Sequence, residues 1–149
     1  MTRWLDDAQQ SAWRKLIQVV ELLPGALDSQ LRRDADLSHF DYFTLAMLSE
    51  APDRTLRMTA LAEITNSTLP RLSHVVSRLE ERGYVERVRS DEDRRATNAA
   101  LTEAGLQKVV ESAPGHVEAV RGIVFADLDA ADVADLDRIM AKILSGLDG

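Results

Sequence analysis

The chain has 149 residues, of which 45% are hydrophobic and 29% charged, the make-up of one globular domain or two fused lobes rather than a disordered chain. No apolar run approaches the roughly 20 residues that cross a bilayer, the first residues lack a signal-peptide core, and the absence of cysteine excludes disulfides, thiolate metal ligands and thiol redox sensing; a cytoplasmic location is expected. Net charge is −7, yet from Arg54 to Arg95 nine Arg face seven acids, while elsewhere nine Lys and Arg face eighteen, so positive charge gathers in the middle third as in a nucleic-acid reader framed by acidic arms.

Taken in chain order, Asp6 to Arg33 reads as helix, because Leu5, Ala12, Leu16, Val19, Val20, Leu23, Leu27 and Leu31 form one apolar stripe. Pro24-Gly25 predicts a kink there, or two abutting helices. Ser38 is an N-cap for a helix over His39 to Glu50 that must end before Pro52. Arg57 to Thr65 reads as a short helix, followed by the tight turn Thr65-Asn66-Ser67. With Ser67 as cap and Pro70 in the first turn, a second helix runs from Thr68 to Arg82, its apolar set being Leu69, Leu72, Val75, Val76 and Leu79. Gly83 supplies the left-handed stop.

Tyr84 to Val88 alternates like a strand, and Ala96 to Leu101 is its return partner across the charged tip Arg89 to Arg95. Thr102 caps a helix from Glu103 to about Asp127 with a bend at Pro114-Gly115, and Asp129 caps the last helix, running to about Leu147. The expected fold is mainly α with a small β-ribbon wing: four helices, two strands, two helices.

Two short helices about a tight turn, followed by a hairpin, describe a winged helix-turn-helix. An α-helix about 10–12 Å wide fits a major groove about 12 Å wide, so its outer face meets base edges. On a helical wheel that face carries Ser67, Pro70, Arg71, His74, Ser77, Arg78 and Glu81. Arg71 suits bidentate pairing with guanine, and Ser67, Ser73 and Ser77 suit phosphate or base contacts. Thr68, His74 and Arg78 complete the candidate set. The competing reading of this helix is a merely solvated face. At the hairpin tip, Arg94 and Arg95 can probe a minor groove, or can pair with Asp91, Glu92 and Asp93 beside them.

The run DEDRRATNAALTEAG closely resembles the wing signature of the MarR family of transcriptional regulators, with Asp93, Arg94, Arg95, Leu101, Thr102 and Gly105 at the matching positions. LAEITNSTLPRLSHVVSRLEERGYVERV is similar to the family's helix-turn-helix, LSHFDYFTLAMLSEAP to its second helix, and FADLDAADVADLDRIMAKIL to its C-terminal helix. The resemblance implies a single MarR-type domain, with residues 1–36 and 103–149 as dimerisation helices around a winged lobe at 37–102. It implies a homodimer on duplex DNA, acting on a near-palindromic operator, with repression more expected than activation. Asp93 takes from it a bracing role in the wing, with Arg78 or Arg95 as partner.

Many relatives release DNA when a small aromatic molecule binds between dimer core and lobe. Trp13, His39, Tyr42 and Phe43 are the candidates for lining such a site, with ordinary core packing as the alternative. No cofactor is expected, and His39, His74 and His116 lack metal-binding spacing. An enzyme is disfavoured because no phosphate loop, nucleophile elbow or dinucleotide motif occurs. The remaining rival, a winged helix used for protein contacts, would need an apolar or acidic outer face where this chain carries Arg.

Overall fold

The computed structural model describes residues 1–148. Helix α1 spans Asp7–Ala35 and α2 spans His39–Glu50; a single 3-10 turn, Pro52–Arg54, leads into strand β1 at Thr55–Arg57. Then come α3, Met58–Ile64, and α4, Leu69–Glu81, strands β2, Val85–Arg89, and β3, Thr97–Leu101, and the long helices α5, Glu103–Val120, and α6, Ala130–Leu147. A π-helical turn, Arg121–Phe125, continues α5.

Local chemistry accounts for most of these boundaries. Asp6, Ser38 and Asp129 each open a helix with a reciprocal capping box, in which cap and third residue satisfy each other's backbone N–H. Thr102 caps α5 by accepting from the Gly105 N–H. Gly83 stops α4 at φ +82°, the left-handed region where a side chain would be strained.

Four expectations need correction. Helix α1 is one unbroken 29-residue helix through Pro24, not two abutting pieces. Pro24 and Gly25 lie on its exposed side, where water can satisfy the carbonyl that proline leaves unpaired. Helix α5 likewise runs through Pro114, and the irregularity falls later, in the π-helical turn. The sheet has three strands, not two, in the order β1-β3-β2. In it Leu56 of β1 faces Ala99, while Val85 and Arg89 of β2 face Leu101 and Thr97, all antiparallel. Finally, Leu69 is 44% exposed on the first turn of α4 and is no part of the core.

The core is a leucine cluster under the helix-turn-helix. Leu31 of α1, Leu37 of the link to α2, Leu45 and Leu48 of α2, Leu61 of α3, and Leu72, Val76 and Leu79 of α4 are sealed from solvent together with Val85 and Ala99 of the sheet. These residues lock α3 and α4 onto the sheet and onto the end of α1, so the outward face of α4 is presented on a rigid support. Outside this lobe the picture reverses. Helix α6 buries none of its residues, and Val133, Ile139, Ile143, Leu144 and Leu147 stand exposed along it.

Candidate nucleic-acid interface

The turn between α3 and α4 is fixed by its own side chains. Thr65 is buried with its hydroxyl donating to the Leu61 carbonyl at 2.8 Å, Asn66 takes a left-handed φ of 54°, and the Ser67 N–H reaches back to the Ala62 carbonyl at 2.9 Å. This uses one more residue than the sequence pattern suggested. The cap of α4 is therefore Thr68, whose Oγ1 accepts from the Arg71 N–H at 3.3 Å, and not Ser67, whose hydroxyl donates to the Thr68 carbonyl.

From this start α4 presents Pro70, Arg71, His74, Arg78 and Glu81 to solvent, with Thr68 exposed at its head. Ser67, Ser73 and Ser77 are only half-exposed. The Arg71 guanidinium rests over the Phe40 ring of α2, 4.4 Å from its centroid, a cation–π contact. Arg78 reaches the buried Asp41 of α2, Nη2 to Oδ1 at 3.2 Å. Asp41 is also the capping-box carboxylate of α2, accepting from the Ser38 N–H at 3.0 Å. Arg82 donates to the Asp36 carbonyl at 2.8 Å. The rear of α4 is thus tied to the joint between α1 and α2.

The wing tip is closed through its backbone. Asp93 accepts from the Arg95 N–H at 3.0 Å, its own carbonyl accepts from the Ala96 N–H at 2.9 Å, and the Ser90 hydroxyl accepts from the Asp93 N–H. The carboxylate that meets Arg78 is Asp41, not Asp93, and Asp93 meets Arg95 through the main chain alone. Among the described residues neither Arg94 nor Arg95 forms an ion pair, and both are exposed. Two cations on a narrow ribbon without carboxylate partners keep their full charge for an external anion.

The candidate ligand residues divide. His39, Tyr42 and Phe43 meet at the junction of α2 and α5, joined by His116, which the sequence pattern did not single out. His39 stacks on Phe43 at 6.4 Å and on His116 at 6.1 Å, and His116 tilts against Tyr42 at 4.5 Å. Trp13 stands apart on α1, 48% exposed. Burial pushes both imidazoles below their ordinary value; Asp28 opposes this at His39, and the neighbouring His39 adds to it at His116. Nearby, a groove of about 320 Å³ is lined by Pro24, Gly25, Asp28, His39, Phe40 and Arg71. Among the described residues no group of three or more His, Cys, Asp or Glu could hold a metal ion. Nor is any helix there long and apolar enough to cross a membrane.

Residues 36–96 match the model of the MarR family. A MarR family transcriptional regulator from Streptomyces coelicolor, solved in complex with DNA, is 43% identical, with 98% of this chain and 92% of that one covered at a TM-score of 0.94. AbsC, a MarR family transcriptional regulator of the same organism, is 38% identical with 99% of both chains covered and a TM-score of 0.93. The transcriptional repressor MprA of Escherichia coli is 27% identical over 107 residues, which are 72% of this chain but 60% of MprA.

Proposed function

The chain belongs to the MarR family, and from that premise we propose that it is a sequence-specific, duplex-DNA-binding transcriptional regulator, a homodimeric repressor released by a small aromatic effector. The observation that carries the reading is the pairing of a rigidly mounted α4, its Arg71 and Arg78 exposed to solvent, with a wing whose Arg94 and Arg95 form no ion pair among the described residues. In this reading Arg71 leaves the Phe40 face to pair with a base, while Ser67, Thr68, Pro70 and His74 approach the backbone and base edges. Arg94 and Arg95 enter the flanking minor groove. The S. coelicolor relative solved on DNA supports the same use of the fold.

Dimerisation is supported by the uncovered apolar surface. An 18-residue helix with no buried residue, such as α6, is marginal in water unless another chain covers it. Trp4, Leu5, Val19, Val20 and Leu22, before and along α1, are likewise exposed. Two-fold symmetry then calls for a near-palindromic operator with half-sites roughly 34 Å apart. An aromatic effector suits the groove at His39, where it would compete for the Phe40 face on which Arg71 rests.

Selection of binding sites from random duplex DNA tests the reading, with mobility shifts on the recovered duplex. Arg71→Ala and Arg94→Ala should each weaken binding about tenfold or more, the worth of one good bidentate or charged contact. Leu144→Asp should yield monomers in sedimentation. No enrichment from the random pool would reject the assignment.

A further inference from the structure

Helix α4 and the wing must engage one duplex together, so their separation has to match the distance from a major groove to the adjoining strand. Beyond the shared core, one side chain bridges the two. Arg87 lies on β2 opposite Ala99 of β3, and its guanidinium crosses to α4. Nη2 donates to the Ser73 carbonyl at 2.7 Å and to Ser73 Oγ at 3.0 Å. Nη1 donates to Ser77 Oγ at 3.0 Å and to Glu80 Oε1 at 3.1 Å, and the Arg87 backbone N–H donates to Glu80 Oε2 at 3.0 Å. Ser73, Ser77 and Glu80 follow one another along a single face of α4. With its side chain 25% exposed and both terminal nitrogens engaged, Arg87 has little left to offer a phosphate.

Between α4 and the wing lies a groove of about 300 Å³ whose walls include Leu69, Arg87, Arg57, Arg95 and Thr97. Arg57 and Arg95 are exposed there and, among the described residues, take part in no ion pair. We propose that Arg87 is the positioning residue that sets the wing against α4, and that the groove it holds is the track of one DNA backbone strand, a phosphate of which Arg57 meets. Ser73 and Ser77 then serve DNA binding as the sockets of Arg87 rather than as contacts of their own. This rests on the DNA-binding reading above.

Anisotropy titrations of the selected duplex over a range of salt separate brace from contact. Arg57→Ala should lower the slope of log K against log salt by about 0.9, the loss of one phosphate contact. Arg87→Gln should weaken binding about tenfold or more, as expected for losing hydrogen bonds to a charged group, with the slope unchanged. Arg87→Lys should not rescue it, because an ammonium lacks the fork that spans Ser73 and Ser77. The Ser73→Ala, Ser77→Ala double variant, which keeps Arg87 and its charge, should weaken binding in the same slope-neutral way and covers the case of an unfolded Arg87 variant. A fallen slope in Arg87→Gln, rescue by lysine, or unchanged affinity in the serine variant would overturn the proposal. Should the unaltered protein bind no duplex at all, the DNA-binding reading fails instead. The brace would then still be read from amide hydrogen exchange, expected to quicken across β2 and β3 in Arg87→Gln and disproved by identical protection.

Discussion

Asp41→Ala should cost far more stability than Arg78→Ala, although the two residues form one ion pair. The asymmetry comes from burial. Asp41 is 6% exposed, whereas the Arg78 side chain is 49% exposed. Removing the carboxylate leaves the buried Ser38 N–H without its acceptor and takes away the side-chain half of the capping box of α2. The Ser38 hydroxyl still caps the backbone N–H of residue 41, so the expected cost is that of one unsatisfied buried donor, about 1–3 kcal/mol. The contact with Arg78 is made by the other carboxylate oxygen to a guanidinium half in water, so screening limits its share to below about 1 kcal/mol. Urea unfolding near neutral pH, at one fixed protein concentration so that any self-association contributes equally, gives both values. Asp41→Asn, which keeps an acceptor for Ser38, should fall between them, and the double-mutant cycle should return a coupling of about 0.5 kcal/mol. An Arg78→Ala variant as unstable as Asp41→Ala would refute this division of labour, because it would mean that the ion pair and not the cap holds α2.

Gly105→Ala should lower the melting temperature by the equivalent of about 1–3 kcal/mol, since a Cβ there would overlap the Tyr84 carbonyl and press on Leu101 in a packed turn; calorimetry showing no shift would be the contrary result. His39 and His116 give a pH dependence of definite sign. Both have folded-state values pushed below the ordinary 6.5, so the unfolded chain binds more protons, and stability present above about pH 6.5 is lost as pH falls through the lowered values. Unfolding free energy measured from pH 8 downward should therefore decline below that point, and His116→Gln should flatten the decline. A steeper decline in the variant would contradict the assignment.

Elements whose signals lie within three or four residues were legible in the chain itself. The caps Ser38, Thr102 and Asp129, the stop at Gly83, the apolar stripe of α4 and the Arg-tipped hairpin all rest on contacts between near neighbours, which residue spacing records directly. What the sequence could not carry depends on distant partners. The three-residue β1 exists because Ala99 pairs with Leu56, and nothing in its own short pattern announces it. The shift of the α4 cap from Ser67 to Thr68 follows from the left-handed Asn66, and the unbroken α1 from where Pro24 falls relative to solvent. The roles of the arginines needed tertiary structure most of all. Arg71, Arg78 and Arg87 look alike in a sequence; only packing sends one over Phe40, one to Asp41 and one into the brace at Ser73. The charge of an arginine is set by its chemistry, but what it can still touch is decided by neighbours on other elements, 14 residues away for Arg87 at Ser73 and 37 for Arg78 at Asp41.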